Sequence, residues 1–132
     1  MPHLNIDYTA NLEPLTDMTA LCQALAATMA ALRDDAGKPV FPLAGTRVLA
    51  GPAPHHAVAG GRAGFGFIYL NLRITPGRPA MVVEAAGAAL LETVRTHVAP
   101  IFERHPIGIT LHIDEGMPVY EGKHSNLAAA LA

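Results

Sequence analysis

Cysteine is almost absent from this chain of 132 residues. Cys22 stands alone, so no internal disulfide can form, and a reducing compartment, the cytoplasm, is the expected setting. Charge is also scarce, at 15% of residues against 51% hydrophobic. A small domain has too much surface to cover with so few charges, so part of that surface is expected to be buried against other copies. No basic stripe exists: nine Lys and Arg are interspersed with eleven Asp and Glu, for a net charge of −2. That excludes an electrostatic nucleic-acid binder. The start carries neither the charged nor the apolar region of a signal peptide. The longest apolar runs are alanine-rich and broken by charge, which argues against a membrane span.

What is present is a repeated pattern. The length suits one domain, residues 1–132, with one core. Leu4, Ile6 and Tyr8 alternate with Asn5 and Asp7, as on a half-buried strand. Thr16-Asp17 supplies a helix N-cap. Met18, Leu21, Cys22, Leu25, Met29 and Leu32 then follow at spacings that make one apolar helical face. Cys22 belongs to that face, which reads as core filling in preference to a nucleophile. Residues 34–37 end the helix. Val40 to Leu49 reads as a second strand made irregular by Pro42 and Gly45, and 51–64 as a Gly/Pro loop.

Ile68, Leu70, Leu72 and Ile74 predict a third strand, turned by Pro76-Gly77. A long alanine-rich helix spans Ala80 to about His97 and is expected to end near Pro100. Ile107, Ile109, Leu111 and Ile113 predict a fourth strand, and a short helical turn is expected near Asn126–Ala129 in an otherwise irregular tail. The fold class is α/β (α+β): a duplicated βαβ unit, with a four-stranded mixed sheet and two helices on one face. The opposite face would carry residues such as Asn5, Asp7, Tyr69, Asn71, Arg73, Thr110 and His112.

The chemistry-bearing feature is Met1-Pro2 leading directly into the first strand. Initiator methionine is commonly removed before proline, which would leave Pro2 as a secondary amine fixed by its ring and by the strand behind it. If Met1 stays attached, that nitrogen is an amide and has no basicity. Burial and nearby cations lower an amine's pKa by disfavouring its charged form. A proline tuned toward neutrality could move a proton between two sites on a substrate. Arg47, Arg73 and Arg78 sit at predicted strand ends. Arginine grips carboxylates through paired hydrogen bonds and keeps its charge when buried, although each alone also reads as a solvated side chain. Together they suit a small, anionic, enolisable acid.

His55-His56 could suggest a metal, but adjacent histidines without further ligands read as a solvated loop pair, and no metal is expected. His3 and His112 fall on a sheet face and read as structural hydrogen-bonding groups. Asp114-Glu115 reads as a strand-end turn.

Met1-Pro2-His3, Asp7-Tyr8-Thr9-Ala10-Asn11-Leu12, Phe41-Pro42-Leu43-Ala44-Gly45-x-Arg47, Leu72-x-Ile74-x-x-Gly77-Arg78 and, less clearly, the tail around Asn126 occur in order along nearly the whole chain. In these segments the sequence resembles 5-carboxymethyl-2-hydroxymuconate isomerases of the tautomerase superfamily. The resemblance implies a homotrimer of duplicated βαβ units. It also implies Pro2 as acid–base catalyst with no metal or organic cofactor, and a place in aromatic-compound catabolism (homoprotocatechuate degradation). By position, Arg47 and Arg78 match that family's active-site arginines; Arg73 ranks below them. Phe41, Phe67 and Met117 are expected as apolar walls that bind substrate and exclude water. The chain departs from the family in having no tryptophan, and residues 51–57 lack the expected aromatic stretch. Other substrates therefore stay open, phenylenolpyruvate or 2-hydroxymuconate among them, as does a non-catalytic trimeric binding module.

Overall fold

The computed structural model describes residues 2–132. Strand β1 (His3–Thr9) follows its alternation, with Leu4, Ile6 and Tyr8 buried and Asn5 and Asp7 exposed. A single 3-10 turn, Ala10–Leu12, then drops Leu12 into the core. Helix α1 (Met18–Ala31) is capped by the Asp17 carboxylate, which accepts from the Ala20 N–H at 3.0 Å. Its buried side is Met18, Leu21, Leu25 and Met29, one stripe at helical spacing.

The second strand differs from expectation. Strand β2 is Arg47–Ala53, later than the predicted 40–49, and it takes in the first residues of the predicted loop. Residues 40–46 cannot run as a regular strand. Val40 N–H is tied to the Leu32 carbonyl, and Phe41 turns into the core. Leu43–Gly45 coils into a 3-10 turn in which Gly45 N–H donates to the Pro42 carbonyl at 3.1 Å. Pro52 is tolerated because β2 lies at the sheet edge, where a missing N–H breaks no second ladder.

Strand β3 (Gly66–Ile74) buries Ile68, Leu70, Leu72 and Ile74. The Pro76-Gly77 turn uses φ +121° at Gly77, a backbone region open to glycine. Helix α2 (Ala80–Phe102) is longer than predicted and holds Pro100 in its last turn. There the proline removes one hydrogen bond near an end that has few left to lose. Ala86, Leu90, Val94 and Val98 form its buried stripe. The helices meet through paired threonines, with Thr28 Oγ1 and Thr93 Oγ1 2.7 Å apart. Strand β4 (Ile107–Glu115) closes the sheet, and a short α3 (Leu127–Ala130) lies in the tail where a helical turn is expected.

The sheet order is β2-β1-β3-β4. The pairs β1/β2 and β3/β4 are parallel, whereas β1/β3 is antiparallel. This is the duplicated βαβ arrangement. Both long helices cover one face of the sheet and enclose the core. Among the described residues neither long helix covers the other face.

Candidate active site

Register builds the site. His3 pairs with Arg47 across β1/β2 and with Arg73 across β1/β3, and Arg73 pairs with Asp114 across β3/β4. Directly paired residues share a face. A single row therefore crosses the uncovered face in the order Arg47, His3, Arg73, Asp114. It lies at the end of the sheet where β1 begins, beside Pro2. Pro2 is buried, and its carbonyl accepts from the Arg47 N–H at 3.3 Å. Met1 lies outside the described residues.

Arg47 is half-buried, and its Nη1 donates to the Gly45 carbonyl at 3.2 Å. The 3-10 turn that displaced β2 thus supplies the acceptor that orients this guanidinium. Arg78 sits just beyond the end of β3. Its Nε donates to the Val40 carbonyl and its Nη1 to the Thr75 carbonyl, each at 3.2 Å. Its guanidinium carbon is 5.0 Å from the centre of the Phe41 ring. Phe41 is buried, so it serves as the platform under Arg78 and not as an open wall.

Phe67 lies at the far end of the sheet. It pairs with Gly108, and its N–H donates to Thr9 Oγ1, a full strand length (~20 Å) from Pro2. Within one chain the fold does not bring Phe67 to Pro2. Met117 is exposed and follows β4 at the Pro2 end. His56 is in the loop after β2, where its Nδ1 lies 2.8 Å from the Ala53 carbonyl.

His3 escaped the sequence reading as a site residue, and of the tail that reading named Met117 and the stretch around Asn126 without the hollows that the tail borders. After β4 the tail returns across this end of the sheet, and α3 packs on the Leu43–Gly45 turn. Two hollows result. One, of about 480 Å³, is lined by His3, Arg47, Gly45, Lys123, His124 and Ser125. The other, of about 470 Å³, is lined by His3, Asn5, Asn71, Arg73, Thr75 and Gly116. His3 and Glu121 line both and so form the wall between them. The tail has no periodicity that would place it across this end of the sheet.

The electrostatics favour an anion. Arg47, Arg73 and Arg78 gather at this end. Glu121 is answered by Lys123 at 3.1 Å, and the Asp114 carboxylate accepts from Asn71 Nδ2 at 2.7 Å. Burial and then the Arg47 guanidinium hold the His3 imidazole below its ordinary pKa of 6.5, with Glu121 opposing them. His3 is therefore neutral at neutral pH. A larger cavity, about 650 Å³, lies elsewhere, between α2 and the edge of β4. It is lined by Leu91, Val98, Phe102 and Ile107 and gathers no comparable set of cations.

Known proteins match along the whole chain. The family model for 5-carboxymethyl-2-hydroxymuconate isomerase matches residues 2–131. A curated 5-carboxymethyl-2-hydroxymuconate Delta-isomerase of Escherichia coli is 27% identical over 129 residues, covering 98% of each chain. A crystal structure of a 5-carboxymethyl-2-hydroxymuconate delta-isomerase is 45% identical with a TM-score of 0.93, covering 100% of this chain and 93% of that one. A fused 4-OT described as a symmetric trimer has a TM-score of 0.62 at 19% identity, covering 97% and 98%, and shares the fold alone. The chain belongs to the 5-carboxymethyl-2-hydroxymuconate isomerase family and is an isomerase with a tautomerase-type α+β fold.

Proposed function

We propose that this isomerase converts 5-carboxymethyl-2-hydroxymuconate to its 2-oxo isomer without a cofactor, using the amine of Pro2 as the proton shuttle. The observation that carries the reading is the bond between the Pro2 carbonyl and the Arg47 N–H. It fixes Pro2, the residue just before β1, beside Arg47.

The proton balance is simple. The Pro2 amine takes the proton of the 2-hydroxyl, and a C2=O bond forms. The C2=C3 pair moves to C3=C4, and the electrons of C4=C5 take the proton back from the Pro2 ammonium at C5. Arg47 and Arg78 bind carboxylates and stabilise the negative charge that develops along the dienolate. The burial of Pro2 and the neighbouring cations favour the neutral amine, the form a base requires.

The working unit is a homotrimer in the cytoplasm, serving aromatic-compound catabolism. The exposed apolar side chains of Leu49, Val119 and Tyr120 support burial against other copies, and the related fused 4-OT is a symmetric trimer. Among the described residues no helix is long and apolar enough to cross a membrane. In such an assembly a neighbouring subunit can bring Phe67 to Pro2, and Met117 borders the site from the tail.

The test follows the ultraviolet absorbance of the dienol. The wild type should turn it over, and Pro2→Ala should lose about a hundredfold in kcat, the scale of a lost general base. An unchanged rate removes Pro2 from the mechanism. Turnover of phenylenolpyruvate alone would move the reading to a different enol acid.

A further inference from the structure

Arg73 is the cation at this end of the sheet that the proposed chemistry leaves unused. Its guanidinium makes no hydrogen bond or ion pair among the described residues. The acid that should neutralise it is present, since Asp114 stands directly across from Arg73 in the β3/β4 ladder. That carboxylate is held instead by Asn71 Nδ2 at 2.7 Å. The other acid of the hollow, Glu121, is paired with Lys123. Arg73 therefore keeps its guanidinium donors unengaged among the described residues, over a hollow of about 470 Å³ that also presents His3 and Asn5.

The backbone makes room for the guanidinium. A Cβ at Gly116 would stand 2.7 Å from Arg73 Nη2, closer than such atoms approach. Glycine at 116 thus lets the fork lie against the chain where it leaves β4. Any larger residue would push it aside.

The substrate's chemistry matches these free donors. A 2-hydroxymuconate has two carboxylates, and its 5-carboxymethyl derivative has three. Arg47 and Arg78 account for two. Arg47 and Arg73 flank His3 from the two adjoining strands, so their Cα atoms are about 10 Å apart, two strand spacings. A dienoate lying over His3 with one end at Arg47 would direct its branch toward Arg73.

We propose that Arg73, held in place by Gly116 and left unpaired because Asn71 binds Asp114, forms a carboxylate subsite for the carboxymethyl arm and selects the tricarboxylate over dicarboxylate dienoates. The proposal rests on the isomerase reading above.

The experiment compares 5-carboxymethyl-2-hydroxymuconate with 2-hydroxymuconate on the wild type, Arg73→Gln, Arg73→Lys and Gly116→Ala. Arg73→Gln should raise KM for the tricarboxylate about tenfold or more, the loss of one charge-assisted fork, and leave kcat/KM for the dicarboxylate within about twofold. Arg73→Lys should restore part of the loss, and Gly116→Ala should reproduce a smaller version of it. Equal losses on both substrates, or none on either, overturn the subsite.

Calorimetry with two inert probes, propane-1,2,3-tricarboxylate and glutarate, gives a reading independent of turnover. The wild type should bind the tricarboxylate more tightly, and Arg73→Gln should lose that preference. A wild type that turns over neither dienoate but keeps an Arg73-dependent preference defeats the isomerase reading and leaves the subsite standing. A wild type without that preference defeats the subsite.

Discussion

Pro2 and Arg47 are joined by backbone: the Arg47 N–H reaches the Pro2 carbonyl at 3.3 Å, so the start of β1 and the start of β2 move as one unit. The arginine's side chain is oriented in turn by the Gly45 carbonyl. The positions of residue 2 and of the Arg47 fork, the proposed base and the proposed anion-binding group, are thus set by the same ladder. Removing either side chain should leave the other in place.

Arg47→Ala should therefore fold normally and fail in binding. KM for a carboxylate substrate should rise about tenfold or more. The same change withdraws a cation from His3, so the His3 imidazole should titrate closer to 6.5 than in the wild type, as read by NMR. A His3 titration unmoved by the substitution would mean that the guanidinium does not face it.

His3 also sets a pH dependence. Its folded pKa lies below the unfolded value of 6.5, so the fold favours the neutral ring. The stability this contributes is present above pH 6.5 and is lost as pH falls through 6.5 and then through the lowered folded value. Thermal melts across that range should show a steeper acid loss in the wild type than in His3→Gln.

Arg78 differs from Arg47 in being built into the structure. Two carbonyls and the Phe41 ring hold it, so Arg78→Ala should lower stability by about 1–2 kcal/mol as well as raise KM. Arg78→Lys should restore little of either, because a lysine lacks the fork that reaches Val40 and Thr75 together. Denaturant unfolding and steady-state kinetics check the two effects.

The Tyr8 hydroxyl donates to the Glu13 carboxylate, and burial, together with that acid, pushes its pKa up to about 12. The fold favours the neutral phenol. Its contribution is complete below pH 10, the unfolded value, and is lost as pH rises through 10 toward 12. Tyr8→Phe should therefore flatten the alkaline limb of a stability–pH curve. An unchanged limb would mean that the phenol is not held neutral by its surroundings.

In the core, Leu70→Ala should cost about 2–5 kcal/mol in denaturant unfolding, since Leu70 is fully buried on a central strand under both helices. A cost under 1 kcal/mol would contradict the close packing of that layer.

Strands whose two faces see different surroundings were legible in the sequence. Leu4-Ile6-Tyr8, Ile68–Ile74 and Ile107–Ile113 each alternate because one side meets the helices. β2 was displaced in the reading because the 40–49 stretch is apolar for a different reason: Phe41 fills the core from a turn, not from a strand. Pro100 marked the end of α2 too early, since a proline near a helix end costs little.

Of the proposed site, Pro2, Arg47 and Arg78 were named from residue type and position. The row that joins Arg47, His3 and Arg73 could not, because it exists only once three strands are in register. Phe67 could be seen as a strand residue. Its separation from Pro2 follows from the antiparallel β1/β3 pairing, a long-range fact that local pattern does not carry. The tail's part in the site comes from α3 packing on the Leu43–Gly45 turn, which is equally non-local.

The central claim is a basic nitrogen on residue 2, and the intact mass of the mature chain purified from its native cells tests it most directly. The account predicts a mass short of the full sequence by one methionine, with no acyl group added. A chain that retains Met1, or carries an acylated proline, has no such base and would contradict it.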